Sequence, residues 1–319
     1  MKENLLKKLE GIKPLVTNSP LLKITVKYLG KMKNIYVKCE WYSLTGSIKD
    51  RACYQIFYDA IISGKLNSDS KIVEVTSGNM GISITALANL LNLPVTILLP
   101  KTMSEERKKL LKLYGANLVE VDDFLSAFNL CKEYEEKGYF CTHQFENESN
   151  YYAHYNLTGK EIFDKICDKN VTNFISGVGT SGTLIGTGRY LKENLGIKVV
   201  GIEPKNARIL TNVKPFKKHK LQGLADQIVP KLYDKNLVDN IIQIGDEDAI
   251  KMAQKLCSNL SLGVGISSGA NFLGAVLESG DSVTIFPDDN KKYLTTDLIK
   301  STSSSIVDNI ELLSVNVVN

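Results

Sequence analysis

The sequence predicts an α/β protein with two mostly parallel sheets, one in each of two domains. Short β-branched runs alternate with segments of helical period for most of the chain, which requires crossover connections between parallel strands. That series halts in an irregular polar stretch at 143–152 (HQFENESNYY) and restarts near residue 172. A chain of 319 residues also fits about two domains at ~150 residues each.

The elements follow in order. LLKITVKYL and NIYVKCEW, within 21–42, read as a hairpin turning near Gly30. KIVEV (71–75) and PVTILL (94–99) read as strands. A helix near 81–92 sets Ile84, Leu87, Ala88 and Leu91 on one face. Another from Ser104 groups Leu110, Leu111 and Tyr114 and stops at Gly115, a residue suited to the position just past a helix. NLVEV (117–121) is the next strand. The second series runs NFISGV (173–178), a helix at 182–194, KVVGI (198–202), IIQI (241–244), a helix at 247–258, GVGI (263–266), a helix at 268–279 and SVTIFP (282–287). The C-terminal stretch from Ser301 reads as a Ser-rich tether and an apolar tail that must dock somewhere.

Composition narrows the function. The 43% hydrophobic fraction excludes disorder, and 23 Gly with 8 Pro exclude collagen or linker chemistry. A net charge of +4 is too small and dispersed for a nucleic-acid partner, and the cluster Lys214 to Lys220 reads as a solvated loop. The longest apolar stretch, Leu93 to Pro100, falls far short of the ~20 residues that span a bilayer, so no membrane partner is expected. The N-terminus lacks a signal-peptide pattern. The cysteines at 39, 53, 131, 141, 167 and 257 show no metal-ligand spacing and read as reduced core thiols, and the three His are scattered. The expectation is a cytoplasmic protein without a metal.

Three segments carry chemistry. Residues 76–81 (TSGNMG) follow a strand and open a helix, which aims backbone N–H groups at an anion, a carboxylate or a phosphate. Residues 177–183 (GVGTSGT) have the same placement and more hydroxyl donors, making the better phosphate nest. They formally fit GxGxxG, but the acid a dinucleotide site needs about 20 residues on would be Glu193, in a helix or at its exit, which disfavours a nicotinamide enzyme. Residues 45–51 (TGSIKDR) put Lys49 in the first turn of a helix, where the dipole disfavours a cation. Either the amine is consumed in an imine, or Lys49 is a surface lysine beside an Asp50–Arg51 pair.

TGSIKDR, TSGNMG, GVGTSGT and GISSGA (265–270) resemble, in order and spacing, four motif blocks of the cysteine synthase and cystathionine β-synthase family. The likeness runs from about residue 17 to 298 and takes in MSEERKKLLKLYGANL (103–118), HQFEN (143–147) and HYNLTGKEI (154–162). It implies pyridoxal-phosphate enzymes of the second fold type, with two doubly wound domains and the cofactor cleft between them. The expected domains are 43–148, carrying a mobile carboxylate-binding loop, and 1–42 with 149–319. By resemblance, Lys49 is the catalytic lysine that carries the cofactor, and Asn79 hydrogen-bonds the cofactor ring's oxygen. Gly179, Thr180, Ser181, Gly182 and Thr183 cradle its phosphate, and Ser267 faces its pyridine nitrogen. Thr76, Ser77, Gly78, Met80 and Gln144 surround the substrate carboxylate. The reaction implied is β-replacement on a serine-type amino acid, O-acetyl-L-serine with sulfide giving L-cysteine, in a homodimer. The alternative takes L-cysteine or L-serine and releases sulfide or adds a thiol.

The departures bear on that choice. Met80 stands where most of the family has Thr, and residues 41–45 (WYSLT) replace a more usual Asn-Pro pair. Asp226-Gln227 stands where the synthases commonly have Ala-Gly. An acid near Cβ would help water or a bulky thiol to add, and positioned acid–base groups contribute ~10²–10⁴-fold. Replacing the pair, Asp226→Ala with Gln227→Gly, is therefore expected to cut sulfide release from L-cysteine at least ~10-fold. Cysteine formation from O-acetyl-L-serine should change far less. Measuring both rates on one variant checks this, and equal losses would reduce the pair to shaping its loop.

Overall fold

The computed structural model describes residues 2–76, 78–101, 105–224 and 229–319. The chain forms two compact units, a smaller one of Met1–Thr17 and Ser43–Asn150 and a larger one of Asn18–Tyr42 and Tyr151–Asn319. It opens with helices α1 (Lys2–Gly11) and α2 (Lys13–Val16), then the hairpin β1 (Leu21–Tyr28) and β2 (Lys31–Cys39), which turns through Leu29 and Gly30, both at positive φ. The N-terminal helices, expected with the larger unit, belong to the smaller one. Leu5, Leu9 and Val16 enter its core, because an amphipathic helix goes where its apolar face is buried.

The smaller unit has four parallel strands, β3 (Ile72–Val75), β4 (Val95–Pro100), β5 (Asn117–Val121) and β6 (Phe140–Cys141), in the order β5-β4-β3-β6. Every residue of β3 and β4 is buried, including Glu74 and Thr96 among the apolar side chains, as parallel strands covered on both faces require. Ile72, Ile97 and Leu99 pack with α3 (Lys49–Ile62) and α4 (Asn79–Leu91), while Val73, Val75 and Leu98 join a second cluster. Between β4 and β5 lies α5 (Glu105–Leu113). On the second face α6 (Phe124–Glu136) contributes Ala127 and Cys131. Both faces are thus covered, and the sheet is doubly wound.

Helix α7 (Glu148–Ala153) starts in the last residues of the smaller unit, and the larger unit continues it into a π-helical turn, His154–Gly159, and α8 (Lys160–Ile166). Its further strands are β7 (Val171–Gly177), β8 (Lys198–Pro204), β9 (Asn240–Ile244), β10 (Asp281–Phe286) and β11 (Ile310–Val317). The sheet order is β11-β1-β2-β10-β7-β8-β9, parallel from β2 to β9 and antiparallel at the β11-β1-β2 edge. Its remaining helices are α9 (Gly182–Leu195), α10 (Asp246–Leu260), α11 (Ile266–Leu277) and α12 (Ser305–Asp308).

Three local expectations are revised. The polar stretch read as irregular becomes helical from Glu148. GVGI at 263–266 is not a strand, since Val264 makes an isolated bridge to Asp289 and α11 starts at Ile266. The apolar tail docks as β11 along β1 and covers what would otherwise be an open sheet edge.

Candidate functional site

Each sheet reverses its winding once, and a parallel sheet offers its ligand crevice beyond the carboxyl ends of the strands at that reversal. In the smaller unit the chain winds from β3 through β4 to β5, then returns to place β6 on the other side of β3. The reversal therefore lies between β3 and β6, whose carboxyl ends lead to Thr76 and Gln144. In the larger unit it lies between β7 and β10, and β7 leads into residues 177–183.

Lys49 is the first residue of α3 and is half-buried. Its neighbour Asp50 is fully buried and accepts from the Thr45 amide at 2.7 Å, the Thr45 hydroxyl at 2.6 Å and the Ser83 hydroxyl at 2.6 Å. Ser83 Oγ also lies 3.0 Å from the carbonyl oxygen of Asn79, the first residue of α4. Asp50 thus fastens the start of α3 to the first turn of α4 and fixes Lys49 and Asn79 relative to each other. The expectation of an Asp50–Arg51 pair gives way here: the carboxylate is taken by Thr45 and Ser83.

Helix α4 starts after Gly78 with no side-chain cap, and the Gly78 amide donates to Thr76 Oγ1 at 3.4 Å. Uncapped first-turn amides suit a carboxylate. Met80 is buried in the apolar core, so it supplies packing under the loop rather than a polar contact. Gln144 is buried, and its carbonyl accepts from Asn150 Nδ2 at 2.8 Å. Behind both segments, buried Glu74 accepts from the Thr142 hydroxyl and the Val75 amide, tying β3 to the end of β6. Burial raises its carboxyl above the ordinary range, against the opposing pull of the Thr142 hydrogen bond. Ser77, Asp226 and Gln227 lie outside the described residues.

In the larger unit, Ser181 takes a left-handed conformation (φ 69°) to start α9. Its hydroxyl is buried and, among the described residues, has no hydrogen-bond partner. A Cβ on Gly179 would stand 2.2 Å from the Gly223 carbonyl oxygen, so only glycine lets the two backbones approach. The Gly177 amide donates to Asn271 Oδ1 at 2.8 Å, and Asn271 Nδ2 donates to the Ile285 carbonyl at 2.8 Å. Ser267 precedes Asn271 by four residues on the same face of α11, so one side chain ties the loop to the helix that carries Ser267. The Thr183 hydroxyl lies 3.2 Å from His154 Nε2, and His154 Nδ1 lies 3.0 Å from the Thr158 hydroxyl.

Asp50 and His154 are the residues that sequence reasoning missed as parts of the site. The quoted blocks contain both, yet each acts on a partner about 30 positions away, which no local pattern reveals.

A buried hydroxyl awaiting a partner, an uncapped 14-residue helix and a glycine that no side chain can replace together make an anion cradle. These residues fit the phosphate of a cofactor, and a lysine fixed at a helix start fits its aldehyde.

Residues 12–288 match the model of the pyridoxal-phosphate dependent enzyme family, and the chain belongs to that family. Within it the likeness is to cysteine synthases. The chain is 36% identical over 300 residues to cysteine synthase B of Campylobacter jejuni, covering 91% of this chain and 98% of that one. It is 34% identical to the cysteine synthase of Staphylococcus aureus, covering 92% and 97%. Among solved structures, a hydrogen sulfide-producing enzyme from Fusobacterium nucleatum superposes with a TM-score of 0.94 at 38% identity, covering 98% and 99%. The O-acetylserine sulfhydrylase isoform 3 of Entamoeba histolytica gives 0.85 at 34%, covering 95% and 94%. The fold is that of the second fold type of pyridoxal-phosphate enzymes.

The cradle makes a specific prediction. Gly179→Ala forces a methyl against the Gly223 carbonyl, and overpacking of this kind costs about 1–3 kcal/mol. Cofactor affinity, read as retention on dialysis, should fall by about 5- to 150-fold. His154→Ala should weaken it less, because Thr183 keeps its hydroxyl and loses only its orientation.

Proposed function

We propose that the protein makes L-cysteine from O-acetyl-L-serine and sulfide. The observation that carries this reading is 34–36% identity to cysteine synthases over nine-tenths of the chain, with all four motif blocks present. Pyridoxal phosphate, when bound, supplies the electron sink that acidifies the substrate's Cα–H and lets the Cβ substituent leave.

The residues divide the remaining work. Lys49 holds the cofactor at its Nζ, takes the proton from Cα as general base and returns it after the nucleophile has added to Cβ. Asn79 hydrogen-bonds the ring oxygen, and Gly179 to Thr183 bind the phosphate. Ser267 would offer a neutral hydroxyl, rather than a carboxylate, to the ring nitrogen, which suits elimination at Cβ. Thr76, Ser77, Gly78 and Gln144 receive the substrate's α-carboxylate, with Met80 packing beneath. Closing the 76–81 loop would assemble the site and exclude water.

A second reading, L-cysteine or L-serine as the amino-acid substrate with sulfide released or a thiol added, is favoured by Asp226-Gln227. The F. nucleatum enzyme supports it too; one of its structures is an aspartate-to-asparagine variant holding an α-aminoacrylate intermediate. A cytoplasmic homodimer belongs to the same proposal. Leu29, Met32, Leu313 and Val317 expose apolar surface on the hairpin and β11, which would suit a second copy, and four buried thiols suit a reducing compartment.

Steady-state kinetics with each donor tests the choice. Cysteine formation from O-acetyl-L-serine and sulfide should exceed sulfide release from L-cysteine by at least ~10-fold in kcat/KM, about 1.4 kcal/mol in transition-state stabilisation. The reverse ranking would establish the second reading.

A further inference from the structure

Three side chains of the smaller unit, outside the site described above, converge in a set suited to a metal, and His143 stands beside one of them. Cys131 and Glu135 sit one turn apart on α6, on the same face. Cys141 ends β6, and His143 follows two residues later. The two sulfurs are 3.6 Å apart, and the donor atoms of Cys131, Glu135 and Cys141 lie within 4.8 Å of one another. His143 Nε2 is 2.6 Å from Glu135 Oε1.

We propose that Cys131, Cys141 and Glu135 form a zinc site, with His143 turning in from its contact with Glu135 as the fourth ligand. With Zn–S bonds of about 2.3 Å, two thiolates on a tetrahedral ion stand about 3.8 Å apart, close to the separation seen here. A disulfide needs its sulfurs at about 2.05 Å and has no use for the carboxylate and imidazole beside them. Two soft sulfurs with one nitrogen and one oxygen select zinc over magnesium or calcium. The sulfurs are buried, whereas Glu135 and His143 are partly exposed, so an ion can enter from their side. His143 holds a left-handed backbone (φ 49°), uncommon for a non-glycine residue, which aims a residue two places beyond Cys141 back at α6. Cys141 Sγ lies 3.8 Å from Glu74 Oε2, an acceptor that its thiol gives up when zinc takes the place of the proton.

Binding replaces two S–H bonds by Zn–S bonds and releases two protons to solvent. The bound ion would tie α6 to β6 directly behind the segments that carry Thr76 and Gln144. The site would therefore stabilise the carboxylate-binding end of the smaller unit without touching substrate.

The test uses the holoenzyme. After chelator treatment, zinc is titrated by equilibrium dialysis, and cobalt is titrated in parallel for the visible bands of a tetrahedral thiolate complex. One ion per chain is expected, with cobalt–thiolate bands saturating at one equivalent and a higher Tm for the loaded protein. Cys131→Ser and Cys141→Ser should each weaken zinc binding by at least about 100-fold. Glu135→Gln and His143→Ala, both at the surface end of the cluster, should weaken it by about 10–100-fold while retaining the bound cofactor's absorbance. Cys167→Ser with Cys257→Ser, which removes the two exposed thiols, should leave it unchanged. The proposal is overturned if no ion binds at one equivalent, if cobalt binds without thiolate bands, if binding follows Cys167 and Cys257, or if Glu135→Gln and His143→Ala both bind like the parent.

Discussion

A carboxylate with no exposed surface is costly unless hydrogen bonds replace its water, and Asp50 meets that demand with three donors. Those donors come from the loop before α3 and from the first full turn of α4, which are separated by more than 30 residues. The same bonds that solvate Asp50 therefore decide where Lys49 and Asn79 stand. Removing the carboxylate would strand the Thr45 amide in a dry interior, a penalty of about 1–3 kcal/mol, while the Ser83 hydroxyl would keep the Asn79 carbonyl as its acceptor. Asp50 thus sets the position of the backbone that carries Lys49.

Topology places everything else. In each unit the sheet reverses beside its first long crossover, and the strand before that crossover ends in small residues that open a helix. The smaller unit's helix starts after Gly78 without a side-chain cap and is suited to a carboxylate. The larger unit's loop adds hydroxyls, a left-handed serine and a glycine packed against a carbonyl, and is suited to a phosphate. Differences in a few side chains suit one architecture to two kinds of anion.

Much of this was legible in the residues. KIVEV and PVTILL read as strands because both faces of a parallel strand are covered, and both glycine-rich loops announced themselves by following such runs. Other features depended on long-range packing. Helix α6 buries little beyond Ala127 and Cys131, so its apolar pattern is faint, and β6 is only two residues long. Strand β11 mixes buried and exposed positions and gains its identity only from pairing with β1. Cys131 and Cys141 looked unrelated because their approach requires β6 to add to β3 with α6 lying across the sheet. His154 reaches Thr183 from a π-helical turn that no sequence periodicity encodes.

The central claim is that Lys49 carries the cofactor. Borohydride reduction of the holoenzyme, followed by protease digestion and mass spectrometry, reads this directly. The account predicts one phosphopyridoxyl group per chain on the peptide containing Lys49, and none in a Lys49→Ala variant that remains folded. A label on any other lysine, or no label on Lys49 in protein shown to hold the cofactor, would contradict it.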